Sequence, residues 1–116
     1  RDSWGGSSWN HADHRAVGVA LLDAVRDAAN PWLFPELGEP WGGVHMVAFN
    51  GSPQATHGVD VAGSIESGIQ SLSCHGTYLE NLDEPPDVED FLRGSARVTG
   101  ERLGVELAVA FEVVTP

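Results

Sequence analysis

The sequence contains no lysine: its six basic residues are all arginine (Arg1, Arg15, Arg26, Arg93, Arg97 and Arg102), set against 17 acidic residues, for a net charge of −11. No basic stripe is available to neutralise a run of phosphates, so the electrostatic footprint of a nucleic-acid binder is excluded. Cysteine is nearly absent as well, and Cys74 alone can form no intrachain disulfide. No apolar run is long enough to span a bilayer and nothing reads as a signal peptide. A cytoplasmic place, with neither membrane nor nucleic acid as a partner, is expected. Internal repeats and low-complexity tracts are missing; the nearest approach to a flexible loop is Trp4-Gly5-Gly6-Ser7-Ser8-Trp9. A lack of lysine beside abundant Ala, Gly, Val and Asp is what a GC-rich bacterial gene tends to encode. Because the chain opens on Arg1-Asp2-Ser3-Trp4, the natural N-terminus is expected upstream.

What is present fits one small domain or a piece of one: 116 residues, 41% hydrophobic and 20% charged. Residues 10–29 read as an amphipathic helix, with Val17, Ala20, Leu21, Ala24, Val25 and Ala28 at three- and four-residue spacing on one face, and Pro31 stopping it. Asn10 is the expected N-cap, and Asp13 stands three residues on, where a carboxylate can reach back towards the cap. Residues 43–49 read as a buried strand ended by Asn50-Gly51-Ser52-Pro53, and Val59-Asp60-Val61 as a shorter one. Ile65, Ile69 and Leu72 mark a second helix entered at Ser64. The acidic, proline-bearing stretch 80–86 reads as a surface loop, and Asp87 with Asp90 opens a third helix ending near Gly104. Alternation at Val105, Leu107, Val109, Phe111 and Val113 predicts a final strand with that face the more buried. Helices and strands thus alternate, which argues for an α/β layered fold. The first helix has no preceding strand in this chain to pack on.

His11 and His14 lie three apart at a helix start and project to the same side, a spacing suited to metal binding. Asp13 between them can orient a ring through its N–H. Spacing alone is equally compatible with two exposed histidines near a cap.

The surrounding residues narrow the choice. Asn10-His11-Ala12-Asp13-His14-Arg15-Ala16-Val17-Gly18 resembles the N-H-P-D-H-R-A-x-G segment of the LmbE-like (PIG-L) zinc-dependent N-acetylglucosamine deacetylases, with Ala12 in place of proline. The resemblance continues through residues 22–31, Phe34-Pro35-Glu36-Leu37, Thr56-His57-Gly58-Val59-Asp60-Val61 and the closing strand from Gly104 to Phe111. It implies a Rossmann-like layered sheet with flanking helices, of which residues 1–116 form the C-terminal portion. It also implies Zn2+ as cofactor, His14 as a metal ligand, and His11 as the catalytic residue facing the acyl oxygen, tuned by Asp13. Trp9 and Asn10 are the expected substrate-binding neighbours. The implied reaction removes acetate or a longer acyl group from a glucosamine-containing small molecule, such as a glycosylated natural product or a thiol-cofactor precursor. The family's general base and remaining ligands lie in an A-H-P-D-D-E motif that this sequence lacks, so a missing N-terminal half is the expected partner and the chain alone is expected to be inactive. The alternative is a non-catalytic binding fragment of the same fold.

Other candidates read as structural. His57 precedes a short strand, His75 ends a helix, and His45 alternates within a strand. Cys74 is expected to be buried or half-buried, without a group to activate it. Tyr78 and Val109 stand where relatives often carry glutamine and glutamate. Trp4 and Trp9 could line a sugar cleft, whereas Trp32 and Trp41 are expected to pack at junctions. The acidic run from Glu80 to Asp90 lacks the glycine-punctuated spacing of a calcium loop and reads as solvated surface.

Overall fold

A computed structural model describes residues 2–4 and 8–116. The order is β1 (Ser3–Trp4), β2 (Ser8–Trp9), α1 (Ala12–Ala28), a 3-10 turn (Pro35–Leu37), β3 (Val47–Asn50), β4 (His57–Asp60), α2 (Ile65–Ser73), α3 (Gly76–Glu80), α4 (Val88–Leu103) and β5 (Ala108–Val114). The chain is thus a mixed α/β fold with a three-stranded sheet in the order β3-β5-β4. It divides into two units, residues 1–57 with 111–116, and residues 58–110.

In the first unit β3 pairs antiparallel with the end of β5, from Val47 opposite Val114 to Asn50 opposite Phe111. The Asn50-Gly51-Ser52-Pro53 stop acts as the sequence indicated. Gly51 takes φ 71°, a left-handed conformation that glycine adopts without steric cost. Ser52 then donates its hydroxyl to Glu112 Oε2 at 2.6 Å and accepts the Gln54 N–H at 3.1 Å. Glu112 is buried on β5, a carboxylate within an otherwise apolar strand.

The expected flexible stretch before the histidines instead contains a short antiparallel ribbon, with Ser3 opposite Trp9 and Trp4 opposite Ser8; residues 5–7 lie outside the described residues. The backbone N–H of Asn10 donates to Asp2 at 2.8 Å, extending this ribbon up to α1.

Helix α1 departs from the pattern reading in a consequential way. Of the stripe given by periodicity, Val17, Ala20, Leu21, Ala24 and Ala28 are exposed and Val25 is half-buried; the half-buried side also carries Arg15, Gly18 and Leu22. Helical residues 100° apart place these two sets on different faces. The helix is therefore apolar on two sides, and no residue of it is fully buried.

The second unit has the clearer core: Ile65, Ala96 and Leu107 are buried, with Val61, Ile69 and Leu92 packed around them. Asp87 caps α4 as expected, accepting the Asp90 N–H at 2.9 Å. Arg93 ties α4 to α2 by pairing with Glu66, and to its own helix by a 2.8 Å bond to Glu89. Ser64 precedes α2 but makes no side-chain cap, and α3 runs from Gly76 to Glu80, the first residue of the stretch expected as a loop. Of the predicted face Leu107 is buried just before β5, while within β5 the most buried positions are Ala108 and Glu112, in the other phase. Cover on both sides of this strand explains the reversal: Val109, Phe111 and Val113 are half-buried rather than exposed.

Gly100 marks the tightest approach in this unit. A Cβ there would lie 2.6 Å from the carbonyl oxygens of both Val105 and Glu106, which are backbone atoms unable to swing aside. Gly100→Ala should cost about 1–3 kcal/mol by overpacking, outweighing the roughly 1 kcal/mol of helix propensity that alanine brings. Urea unfolding of the two proteins would measure this, and equal or higher stability of the variant would refute the close approach.

Candidate active site

The five residues singled out ahead of the structure, Trp9, Asn10, His11, Asp13 and His14, come together where β2 passes into α1. Asn10 is not the helix cap in the expected sense. The cap position is His11, and no side chain bonds there as a cap. Asn10 Oδ1 instead accepts the His11 backbone N–H at 3.0 Å and lies 3.1 Å from His14 Nδ1. Asp13 does not reach back to a cap either: its Oδ1 accepts the His14 backbone N–H at 2.7 Å and sits 2.5 Å from His11 Nδ1.

These contacts determine where the protons are. A backbone N–H can only donate, so the Asn10 atom facing it is the amide oxygen, and His14 must donate to that oxygen from Nδ1. The ionised Asp13 carboxylate only accepts, so His11 also carries its proton on Nδ1. Each ring is held through Nδ1, and His14 Nε2 lies 3.9 Å from Asp13 Oδ1. The rings stand 6.0 Å apart at 61°, with side chains about three-quarters exposed for His11 and two-thirds for His14.

The His11 hydrogen bond holds the Asp13 carboxyl below the usual aspartate value; partial desolvation pulls the other way, and the His14 N–H and the two rings add to the lowering. A depressed carboxyl favours contacts that are in place above the ordinary aspartate pKa and are lost as pH falls through the lowered one. The Asp13 carboxyl carbon should therefore titrate below the normal aspartate range in an NMR pH series, and return towards it in His11→Ala. An ordinary midpoint in both proteins would contradict the contact.

Arg15 and Trp9 complete the surroundings. The Arg15 guanidinium lies 4.6 Å from the centre of the Trp9 ring, a cation–π contact that steadies one face of the indole. Trp9 is 71% exposed. Arg15 Nε is buried with no acceptor among the described residues. A polar cleft of about 240 Å³ adjoins His14, with Asn10 and Ser3 on one side and Phe49, Asn50 and Ser52 on the other. A larger, mostly apolar groove of about 590 Å³ runs between the exposed stripe of α1 and the Leu33-Phe34…Leu37 segment.

The remaining candidates make local contacts. His57 Nδ1 bonds Thr56 Oγ1 at 2.8 Å, and His75 Nδ1 donates to the Ser71 carbonyl at 3.2 Å. His45 lies before β3 rather than within it and is exposed, because the strand begins only at Val47. Cys74 is exposed, against expectation, since it is the C-cap of α2 and follows the last packed turn. Trp32 and Trp41 do not pack at junctions: they are 87% and 63% exposed on the connection after α1. The acidic run from Glu80 to Asp90 is solvated, as read. Sequence reasoning passed over Ser52 and Glu112, which are 60 residues apart and meet only in the fold.

A comparison with solved structures gives a match over 91% of this chain, with a TM-score of 0.73 and 23% identity, to N,N′-diacetylchitobiose deacetylase from Pyrococcus horikoshii in complex with its inhibitor MPG. The chain shares its fold with a deacetylase. It spans 41% of that protein's length. No family model matches the sequence, and no curated protein matches it. Among the described residues no helix is long and apolar enough to cross a membrane. Nor do these residues gather three or more His, Cys, Asp or Glu side chains able to hold a metal ion.

Proposed function

We propose that the chain is the C-terminal part of a zinc-dependent deacetylase domain of the LmbE-like (PIG-L) type, acting on an N-acylated glucosamine within a small molecule or glycosylated natural product in the cytoplasm. The observation that carries this reading is the paired grip on Nδ1 of His11 and His14, two largely exposed rings, in a fold shared with a deacetylase. The donor chemistry fits one corner of a zinc site: an imidazole whose Nδ1–H is held by an amide oxygen offers a fixed Nε2 lone pair. Catalytic zinc usually takes three protein ligands, so His14 would be joined by ligands from the absent half of the domain.

The surface of α1 supports that division. Val17, Leu21, Leu33, Phe34 and Leu37 are all exposed, and the chain's 8546 Å² of accessible surface exceeds the about 6,100 Å² expected of a folded monomer of its mass. In this reading the rest of a Rossmann-like layered domain covers these side chains and supplies an acceptor for Arg15 Nε.

When bound, zinc would supply an activated water and polarise the acyl carbonyl. His11 would face the acyl oxygen through Nε2. To donate from that atom while Nδ1 donates to Asp13, both ring nitrogens would carry a proton in the reacting complex. Asn10 holds His14 in register, and the Arg15-backed Trp9 offers its open face to a sugar ring. The test is acetate release from N-acetylglucosamine substrates by this chain assembled with a segment bearing the A-H-P-D-D-E motif. The expected result is one free amine per acetate; no release in the presence of zinc would reject the reading.

A further inference from the structure

We propose that Trp4 and Gly51 are positioning residues for the His14 imidazole, setting through the β1–β2 ribbon which of its nitrogens carries the proton. Gly51 has a left-handed φ of 71° and also receives the Trp4 indole: a Cβ at Gly51 would lie 2.5 Å from Trp4 Nε1 and 2.6 Å from Cδ1. Those distances are well inside van der Waals contact, so any side chain at Gly51 displaces Trp4. The turn that presents Gly51 is itself fixed, because Ser52 bridges buried Glu112 and the Gln54 N–H. Trp4 in turn lies opposite Ser8, and Ser3 opposite Trp9, so the strand leading to the histidines is registered against the strand that Trp4 anchors. The Asn10 N–H bond to Asp2 closes the ribbon, and Asn10 Oδ1 then grips His14 Nδ1.

Every link lies within one unit of the chain, and Trp4, Gly51, Ser52, Asn10 and His14 line the same cleft of about 240 Å³. The consequence is chemical. Free histidine in water favours the tautomer protonated on Nε2, which would point its lone pair at Asn10. The anchored ribbon selects the opposite tautomer, with the lone pair on Nε2. That Nε2 serves a metal rests on the deacetylase reading; the tautomer itself does not.

Long-range imidazole 1H–15N spectra of the 116-residue chain at about pH 8, where an unperturbed imidazole is neutral, read the tautomer directly. The expected result is an Nδ1–H pattern for His14 in the parent chain, loss of that pattern in Gly51→Ala and Trp4→Ala, and its retention in Trp4→Phe, which keeps a ring on Gly51. Amide spectra of β3 and β5 report the fold in each case. Should Gly51→Ala unfold, Trp4→Ala carries the test, since Trp4 is half exposed and its removal empties no core. An Nδ1–H pattern that survives Trp4→Ala, or an Nε2–H pattern in the parent chain, overturns the proposal. Zinc affinity of the assembled domain separates the two readings. A tautomer change with unaltered zinc binding counts against His14 as the ligand, while zinc binding lost with the tautomer unchanged counts against the positioning role.

Discussion

His14→Ala should strip zinc from the assembled domain, lowering affinity by well over the about 10–100-fold that removing a hydrogen-bond partner behind a metal ligand costs. The reason lies in how the ring is held. Asn10 Oδ1 lies 3.1 Å from His14 Nδ1, so in the proposed site the ring is held and its lone pair placed on Nε2 before any metal binds. Its loss removes a direct bond and an entropy advantage together. Metal content after gel filtration checks the expectation, and undiminished zinc in the variant would remove His14 from the site. Asn10→Ala should fall between the parent and His14→Ala, because the ligand remains while its orientation is lost.

His11→Ala should behave differently: zinc stays largely bound and turnover falls by about 100- to 1,000-fold, the usual effect of deleting one preorganised donor to a developing oxyanion. Asp13 supports this expectation, since its 2.5 Å contact with His11 Nδ1 leaves only Nε2 to meet substrate. A lowered kcat with an unchanged KM would place the His11 interaction in the transition state rather than in substrate binding. Equal loss of zinc and turnover would show that His11 is a ligand, and unchanged turnover would leave it no catalytic role.

The meeting of these two histidines with Asn10 and Asp13 was legible from the sequence because the cluster is local. Five of the six residues from Trp9 to His14 at a helix start must meet whatever the rest of the chain does. Their hydrogen bonds were less legible: Asn10 and Asp13 both looked like capping groups, and both bond the histidine rings instead. A cap and a ring compete for the same side-chain oxygen, and residue spacing does not decide between them.

Longer-range features were hidden for a different reason. The bond from Ser52 to Glu112 and the seating of Trp4 on Gly51 join residues far apart in sequence, and neither leaves a periodic trace. The faces of α1 and β5 were misjudged by the same logic. Periodicity finds the most apolar stripe of an element, which is the buried stripe when one side is covered and the other is wet. Here α1 is apolar on two sides, and within this chain the side bearing Gly18, Leu22 and Val25 is the one covered. Apart from Val25, the stripe from Val17 to Ala28 remains open. On β5 both sides have cover, so alternation carried little information about which is deeper.

The central claim, zinc-dependent removal of an acyl group with His14 as a ligand, is tested most directly by assaying zinc content and acetate release on one preparation of the assembled domain before and after chelation. The account predicts that both fall together and that stoichiometric zinc restores both, with His14→Ala unable to recover either. Acetate release that persists in the metal-free protein, or full recovery by His14→Ala, would contradict it.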